Sequence, residues 1–313
     1  MKAPHRIDLM ISAMVKDEHW NCNQKCLHCY AAGQIYSEKK ELSTEEWKKI
    51  IDKCRKVCIP QLTFTGGEPT RRKDLVELIE YSKWFITRLN TNGVLLTKEL
   101  CQKLVDASLD SVQVTFYSCD KNIHNMLVGA DNFELTVEGI KNAIEVGLPI
   151  SINTPLCSLN SNYTETLKFL RDIGIKYVSC SGLIITGNAK KEDSIKTQLS
   201  KDDIYEILKS ATKFTNENQM EISFTSPGWV DEAKLKELKI DIPNCGACLS
   251  NMAIAPDGEA VPCQSWLNSD AGLGNMLDTD WEKIWNNPKC KKQREYSAKS
   301  LGICPLREVK NTK

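Results

Sequence analysis

The stretch Gln61-Leu-Thr-Phe-Thr65-Gly66-Gly67-Glu68-Pro69 decides how this chain folds. Its first five residues, 61–65, read as a strand, and the paired glycines that follow let the backbone turn sharply and approach a ligand closely. Working outward, the same grammar recurs. Residues 7–15, 85–90, 111–115, 149–154 and 176–180 read as further β-branched strands. Helical patterns at 43–58, 75–83, 98–107, 134–146 and 163–173 alternate with them, the first opened by a Ser43/Glu46 capping box. Six βα units predict an α/β fold, a partial (β/α)6 parallel barrel over about residues 7–190.

The domain organisation expected from this pattern has a barrel over residues 1–190, a linking helical segment over 191–243 with a helix near 201–212, and a small Cys-rich α+β domain over 244–313. In that last part Cys, Gly and Pro punctuate short strands, Pro256-Asp257-Gly258-Glu259 reads as a hairpin turn, and only 281–285 reads as helical.

Lys and Arg number 41 and Asp and Glu number 41, so the formal charge is zero. That balance excludes a nucleic-acid binder held by phosphate neutralisation. No run of about 18 apolar residues occurs, so no membrane span is expected. The first residues lack the apolar core and cleavage site of a signal peptide. Fourteen cysteines in 313 residues are many. In a cytoplasmic protein, which this composition suggests, clustered thiols point to metal ligands or catalysts rather than disulfides.

Two cysteine groups carry the chemistry. Cys22-Asn-Gln-Lys-Cys26-Leu-His-Cys29 lies in the loop after the first strand. Three sulfurs can hold an iron–sulfur cluster and leave one iron open to a substrate; a zinc site would instead recruit His28 or His19 as fourth ligand. The second group is Cys245-Gly-Ala-Cys248, then Cys263 and Cys304. Four thiolates can saturate an auxiliary cluster or a structural zinc ion, and Cys290 could replace Cys304.

Taken together, Cys22-x3-Cys26-x2-Cys29 and Gly66-Gly67-Glu68-Pro69, about 40 residues apart, resemble the radical S-adenosylmethionine (radical SAM) superfamily. The second cysteine group, with Leu273-Gly274-Asn275 and Ile284-Trp285, resembles the twitch and SPASM auxiliary-cluster regions. A full SPASM domain has seven cysteines, so the twitch arrangement with one auxiliary cluster, [4Fe–4S] in type, is the expectation. The resemblance implies that Cys22, Cys26 and Cys29 hold a [4Fe–4S] cluster with an open iron. It implies that Gly66, Gly67 and Glu68 bind the SAM amino group and that His28 borders the adenine. Asn92, Thr115 and Asn153, at the barrel's C-terminal rim, are candidate polar contacts, although a capped turn or a strand-end hydrogen bond would also explain each. His124 falls where many relatives have a His, but Asn125-Met126-Leu127-Val128 lacks the following Arg that pairs the SAM carboxylate.

The implied activity is reductive cleavage of SAM to a 5′-deoxyadenosyl radical, which abstracts hydrogen from a peptide or protein side chain, with a low-potential donor of flavodoxin or ferredoxin type. Only 21 residues precede Cys22, too few for a separate leader-binding domain. The alternative is therefore a small-molecule dehydrogenase or cofactor-biosynthesis enzyme; a cyclase for the molybdopterin precursor would end in Gly-Gly, which this chain does not. A non-catalytic zinc-binding module is the remaining class. Of the other thiols, Cys54, Cys58 and Cys101 are expected to pack as small buried hydrophobes. Cys119, Cys157 and Cys180 end strands near the barrel mouth, where one could donate hydrogen, though packing is the simpler role. The run beginning at Lys289 reads as a solvated basic face.

Overall fold

The computed structural model describes residues 2–299 and 303–307. Seven strands in chain order, β1 (Arg6–Ser12), β2 (Gln61–Gly66), β3 (Ile86–Thr91), β4 (Ser111–Thr115), β5 (Ile150–Pro155), β6 (Tyr177–Ser181) and β7 (Glu221–Phe224), pair in succession, all parallel. On the other side of β1, β8 (Asn251–Ile254) is also parallel, and β9 (Ala260–Val261) closes on it antiparallel. The sheet therefore runs β9-β8-β1-β2-β3-β4-β5-β6-β7. Its two edges are not paired among the described residues, so the barrel is partial.

The six expected strands are all present, within a few residues of the expected bounds. Two parallel strands were not read. Glu221–Phe224 is short and carries Glu and Ser at alternate positions, so its local signal is weak. Asn251–Ile254 reads as a strand only of the C-terminal part; its partner, β1, lies some 245 residues away, and pairing at that distance leaves no local trace.

Alternation explains the walls. Ile7, Leu9, Leu62, Phe64, Leu89, Val112, Val114, Ile152 and Val178 face outward and are buried in the main core with the helices. Helix α1 (Thr44–Lys56) covers that face with Trp47, Ile50, Ile51 and Cys54, and Ser43 and Glu46 form the expected capping box. Burying each of those large side chains is worth about 2 kcal/mol. The residues between them on each strand are mostly polar: Asp8, Thr63, Arg88, Gln113, Asn153 and Ser179 point inward. Ordinary (β/α) barrels fill this space with Val, Ile and Leu; here it is a chamber.

Three expectations need correction. The C-terminal part has a second helix, Pro288–Lys299, of which only Cys290 and Ser297 are buried; so polar a segment shows no apolar stripe, although Pro288 at its first position is a start signal. The basic run sits on it. Cys58 is exposed rather than packed, because α1 ends at Lys56 and Cys58 takes a left-handed conformation (φ 60°). The helix Lys121–Val128, which carries His124, was not read.

Candidate active site

A hairpin beyond β1 leads into the three-thiol loop at the barrel mouth. Beyond β1, residues 15–16 and 19–20 form a small hairpin whose Asp17 and Glu18 both have positive φ, the geometry of a type I′ turn. Glu41 ties the exit from the strand by accepting from Ala13 N–H at 3.0 Å and Asn21 Nδ2 at 2.8 Å. The loop's own backbone is then pinned from three sides. Lys25 and Leu27 N–H donate to the carbonyls of Val128 and Leu127 at 2.9 and 2.8 Å. Asn188 Nδ2 donates to the Cys26 carbonyl at 3.1 Å and Ser194 Oγ to that of Leu27 at 2.9 Å. The loop backbone is thus held by protein contacts on several sides.

Burial raises the Cys22 thiol to about 12, helped by the neighbouring Glu68 carboxylate. It also pushes Cys26 well up, reinforced by Cys29 and Cys22, and raises Cys29. Three thiols that disfavour one another's ionisation remain protonated alone. An iron centre reverses this, since a coordinating thiol gives up its proton to the metal's charge.

Across the mouth, Gly66 has φ 142° and its Cα faces β1 so closely that a Cβ would lie 2.3 Å from the Ser12 carbonyl oxygen. Gly67 N–H donates to that oxygen at 2.9 Å and Glu68 N–H to Ser12 Oγ at 3.1 Å. Gly66→Ala should therefore destabilise the fold by roughly 3 kcal/mol, the upper range for forced overpacking, visible as a lowered thermal midpoint. A midpoint within a degree of the parent's would contradict the close approach.

Glu68 is buried and already engaged. Its Oε1 accepts from Thr70 N–H (3.0 Å), Thr70 Oγ1 (2.6 Å) and Thr91 Oγ1 (2.7 Å), and its Oε2 accepts from Asn92 N–H (2.8 Å). Desolvation still raises its pKa against these bonds. A carboxylate has about four acceptor sites, so Oε2 is where an incoming donor would bind.

His28 Nε2 lies 2.8 Å from Thr197 Oγ1. That hydroxyl donates its proton to the Ser194 carbonyl at 2.7 Å, so the imidazole must be the donor and carries its proton on Nε2. Nδ1 is then a bare acceptor, buried and without a partner. Burial lowers the His28 pKa to about 4, so the ring is neutral near pH 7.

Cys22, Cys26, Cys29, His28, Gly66, Gly67, Glu68, Asn92, Thr115 and Asn153 all line one cavity of about 440 Å³. Asn92 also makes the turn read as its alternative role: its Oδ1 accepts from Val94 N–H, and its Nδ2 donates to Asn23 Oδ1 at 2.6 Å. Asn153 Oδ1 accepts from Ser179 Oγ at 3.0 Å. His124 does not line the cavity; it packs beneath Phe116 and Phe133 in the core, neutral for the same reason as His28. Cys119, Cys157 and Cys180 do not line it either. Tyr30 was missed by the sequence reading. It lines the cavity, is partly buried, and its hydroxyl pKa is raised by burial and by the nearby Cys29 and Cys263, so it stands between the two thiol groups.

The second group gathers five thiols. Burial raises Cys263 to about 12, with Cys304 and Cys245 adding to it. Burial raises Cys304 to about 11, again with Cys245 nearby. Cys248 donates to Cys290, which raises the first and lowers the second, and Arg294 Nη1 lies 3.6 Å from Cys290 Sγ. Both candidates for the fourth ligand are therefore present. Among the described residues no three His, Cys, Asp or Glu side chains converge as tightly as a single metal ion needs. Four sulfurs around zinc each lie about 2.3 Å from one centre, whereas an iron–sulfide cube spreads its thiolates over separate corners.

The sequence matches the radical SAM superfamily over residues 21–173 and an iron–sulfur cluster-binding domain, SPASM, over 245–306. It is 27% identical over 310 residues to an AdoMet-dependent heme synthase of Methanosarcina barkeri, covering 92% of this chain and 86% of that one. It is 36% identical over 135 residues to the PqqA peptide cyclase of Bradyrhizobium diazoefficiens, covering 42% of this chain and 36% of the other. In fold it is similar to Streptococcus suis SuiB bound to the precursor peptide SuiA, with TM-score 0.76 and 18% identity over 94% of this chain and 67% of that one. It is also similar to AdoMet-bound anSMEcpe, with TM-score 0.74 and 18% identity over 94% and 84% of the two chains.

Proposed function

A chain whose residues 21–173 form a radical SAM domain and whose residues 245–306 form an SPASM cluster-binding domain is a radical SAM enzyme, and we propose that it modifies a peptide or protein side chain by hydrogen abstraction. The observation that carries the reading is the single cavity onto which the three-thiol loop, the Gly66–Glu68 turn and the inner barrel wall all open. A [4Fe–4S] cluster with S-adenosylmethionine, bound there, supplies reductive cleavage of the sulfonium to a 5′-deoxyadenosyl radical. The chain's own residues do the rest. Cys22, Cys26 and Cys29 hold the cluster and leave one iron to the ligand. Glu68 Oε2 accepts from the ligand's ammonium group, and neutral His28 offers Nδ1 to a donor on the adenine. The barrel wall keeps water and loose side chains from the reactive carbon. Cys245, Cys248 and Cys263, with Cys304 as fourth thiolate, hold the auxiliary cluster; Cys304 adjoins two of these and Cys290 only one.

A peptide substrate is supported by the peptide cyclase and precursor-peptide-bound relatives. A second reading, a small-molecule substrate, is favoured by the heme synthase that matches nearly the whole chain. The reductant is proposed to be a flavodoxin or ferredoxin. No helix among the described residues is long and apolar enough to cross a membrane, and a cytoplasmic location is part of the proposal. Reconstituted anaerobically with iron and sulfide and reduced in the presence of S-adenosylmethionine, the protein is expected to release 5′-deoxyadenosine and methionine in equal amounts. A folded protein that binds zinc instead and releases neither would refute it.

A further inference from the structure

The chamber ends in an unusual charge pattern. Arg6 and Asp8 share the inward face of β1, with Arg6 Nε 2.9 Å from Asp8 Oδ1. Register places Asp8 beside Thr63, Thr63 beside Arg88, and Arg88 beside Ser111, one layer across four strands. All but Ser111 line the same cavity as the cysteines. The layer therefore holds one guanidinium, Arg88, and one carboxylate, Asp8; Arg6, two residues before Asp8 on the same face and in register with Gln61, adds a second guanidinium and is bonded to the Asp8 carboxylate through Oδ1. Arg88 Nε donates to Ser111 Oγ at 3.4 Å; among the described residues Arg88 forms no ion pair, and its nearby charges are Arg6, which repels it, and Asp8. Asn90, two residues further along the same face, has a buried Oδ1 with no partner.

A half-buried cation facing a polar chamber is stabilised when an anion reaches it, and a guanidinium binds a carboxylate through two parallel N–H bonds. The floor lies about four strand residues, roughly 13 Å, below Asn92 at the rim. That separation leaves the methionine end of S-adenosylmethionine at the rim and the floor to another molecule.

We propose that Arg88, backed by Arg6, grips a carboxylate of the substrate while Asn90 accepts from an adjacent N–H, so that the enzyme acts on a carboxylate-bearing substrate. This rests on the reading of the cavity as the radical chamber. The carboxylate comes either from an acidic residue within a peptide or from a free small acid, and the two are separable.

The test is calorimetric titration of the reconstituted, S-adenosylmethionine-loaded protein at low salt with three probes: end-blocked Gly-Glu-Gly, end-blocked Gly-Gln-Gly and glutarate. The Glu peptide should bind at least tenfold more tightly than the Gln peptide. Arg88→Gln should erase that preference, and Arg88→Lys, which keeps the charge but not the fork, should retain part of it. Glutarate binding as tightly as the Glu peptide assigns a small acid; weaker binding assigns a peptide. Equal affinity for the two peptides, no binding of either, or an Arg88→Gln effect confined to S-adenosylmethionine affinity overturns the inference. A parent protein that makes no 5′-deoxyadenosine instead condemns the enzyme reading beneath it, so the two failures are distinguishable.

Discussion

Cys26→Ala protein, reconstituted and reduced like the parent, is expected to form no 5′-deoxyadenosine above the protein-free blank, a loss of roughly 10³-fold or more, as when a group essential to the chemistry is removed. The middle thiol of the loop is the one whose removal should do the least structural harm. The backbone on either side is fixed by the Val128, Leu127 and Asn188 contacts, none of which involves the sulfur. The sulfur's own contact is a weak one, 3.5 Å from Gln24 Oε1. The variant should therefore fold and melt like the cluster-free parent while losing iron and sulfide. Two thiols cannot hold a cube against exchange, and the ligand's ammonium site at Glu68, left intact, has nothing beside it to deliver an electron. Cleavage retained above a tenth of the parent rate would remove Cys26 from the site.

Why the three-thiol loop and the glycine turn could be read from sequence is physical: each packs its requirement into fewer than ten residues. Sulfur spacing sets what a loop can enclose, and only glycine tolerates the 2.3 Å approach to the Ser12 carbonyl at Gly66. The barrel strands were legible for a similar reason, since an outward apolar and inward polar face repeat every two residues. What could not be read depends on residues far apart in the chain. Glu68 accepts from Thr91 at the end of the next strand and from Asn92 just beyond it, which leaves room for a further donor only on Oε2, a fact invisible in Gly-Gly-Glu-Pro. The tautomer of His28 is dictated by Thr197, 169 residues away. The period-two rule does place Arg6 with Asp8 and Arg88 with Asn90 on common faces, but charged residues on a strand are by default assigned to solvent. Only the curling of the sheet into a partial barrel turns that face inward. Cys290 was open from sequence as an alternative to Cys304, but the helix that brings it to Cys248 and sets Arg294 beside it has no apolar stripe, so those contacts could not be anticipated.

Cys263→Ala should separate the two centres. Cys263 follows the hairpin that pairs β8 with β9, and its thiol adjoins Cys304 and Cys245, so its loss should cost one cluster, about four iron atoms per chain, while the cluster at Cys22, Cys26 and Cys29 remains. Uncoupled 5′-deoxyadenosine formation should then persist within several-fold of the parent, because none of the groups that meet S-adenosylmethionine is altered. Turnover of a true substrate should be lost if the auxiliary cluster takes up or returns an electron after hydrogen abstraction. Two features make the outcome informative rather than certain by construction. β8 lies in the barrel sheet directly against β1, so metal released from the C-terminal part could loosen the strand that leads into the three-thiol loop. Tyr30 also lies close to both Cys29 and Cys263. The thermal midpoint of Cys263→Ala should fall, since a cluster that binds only the folded state contributes its binding energy to folding. The iron at the barrel mouth should survive that fall, because the Glu41, Asn188 and Val128 contacts that shape the loop come from the barrel side. Loss of all iron together with all cleavage, matching Cys26→Ala, would show instead that the two thiol groups form a single cooperative unit and that the barrel alone cannot hold its cluster.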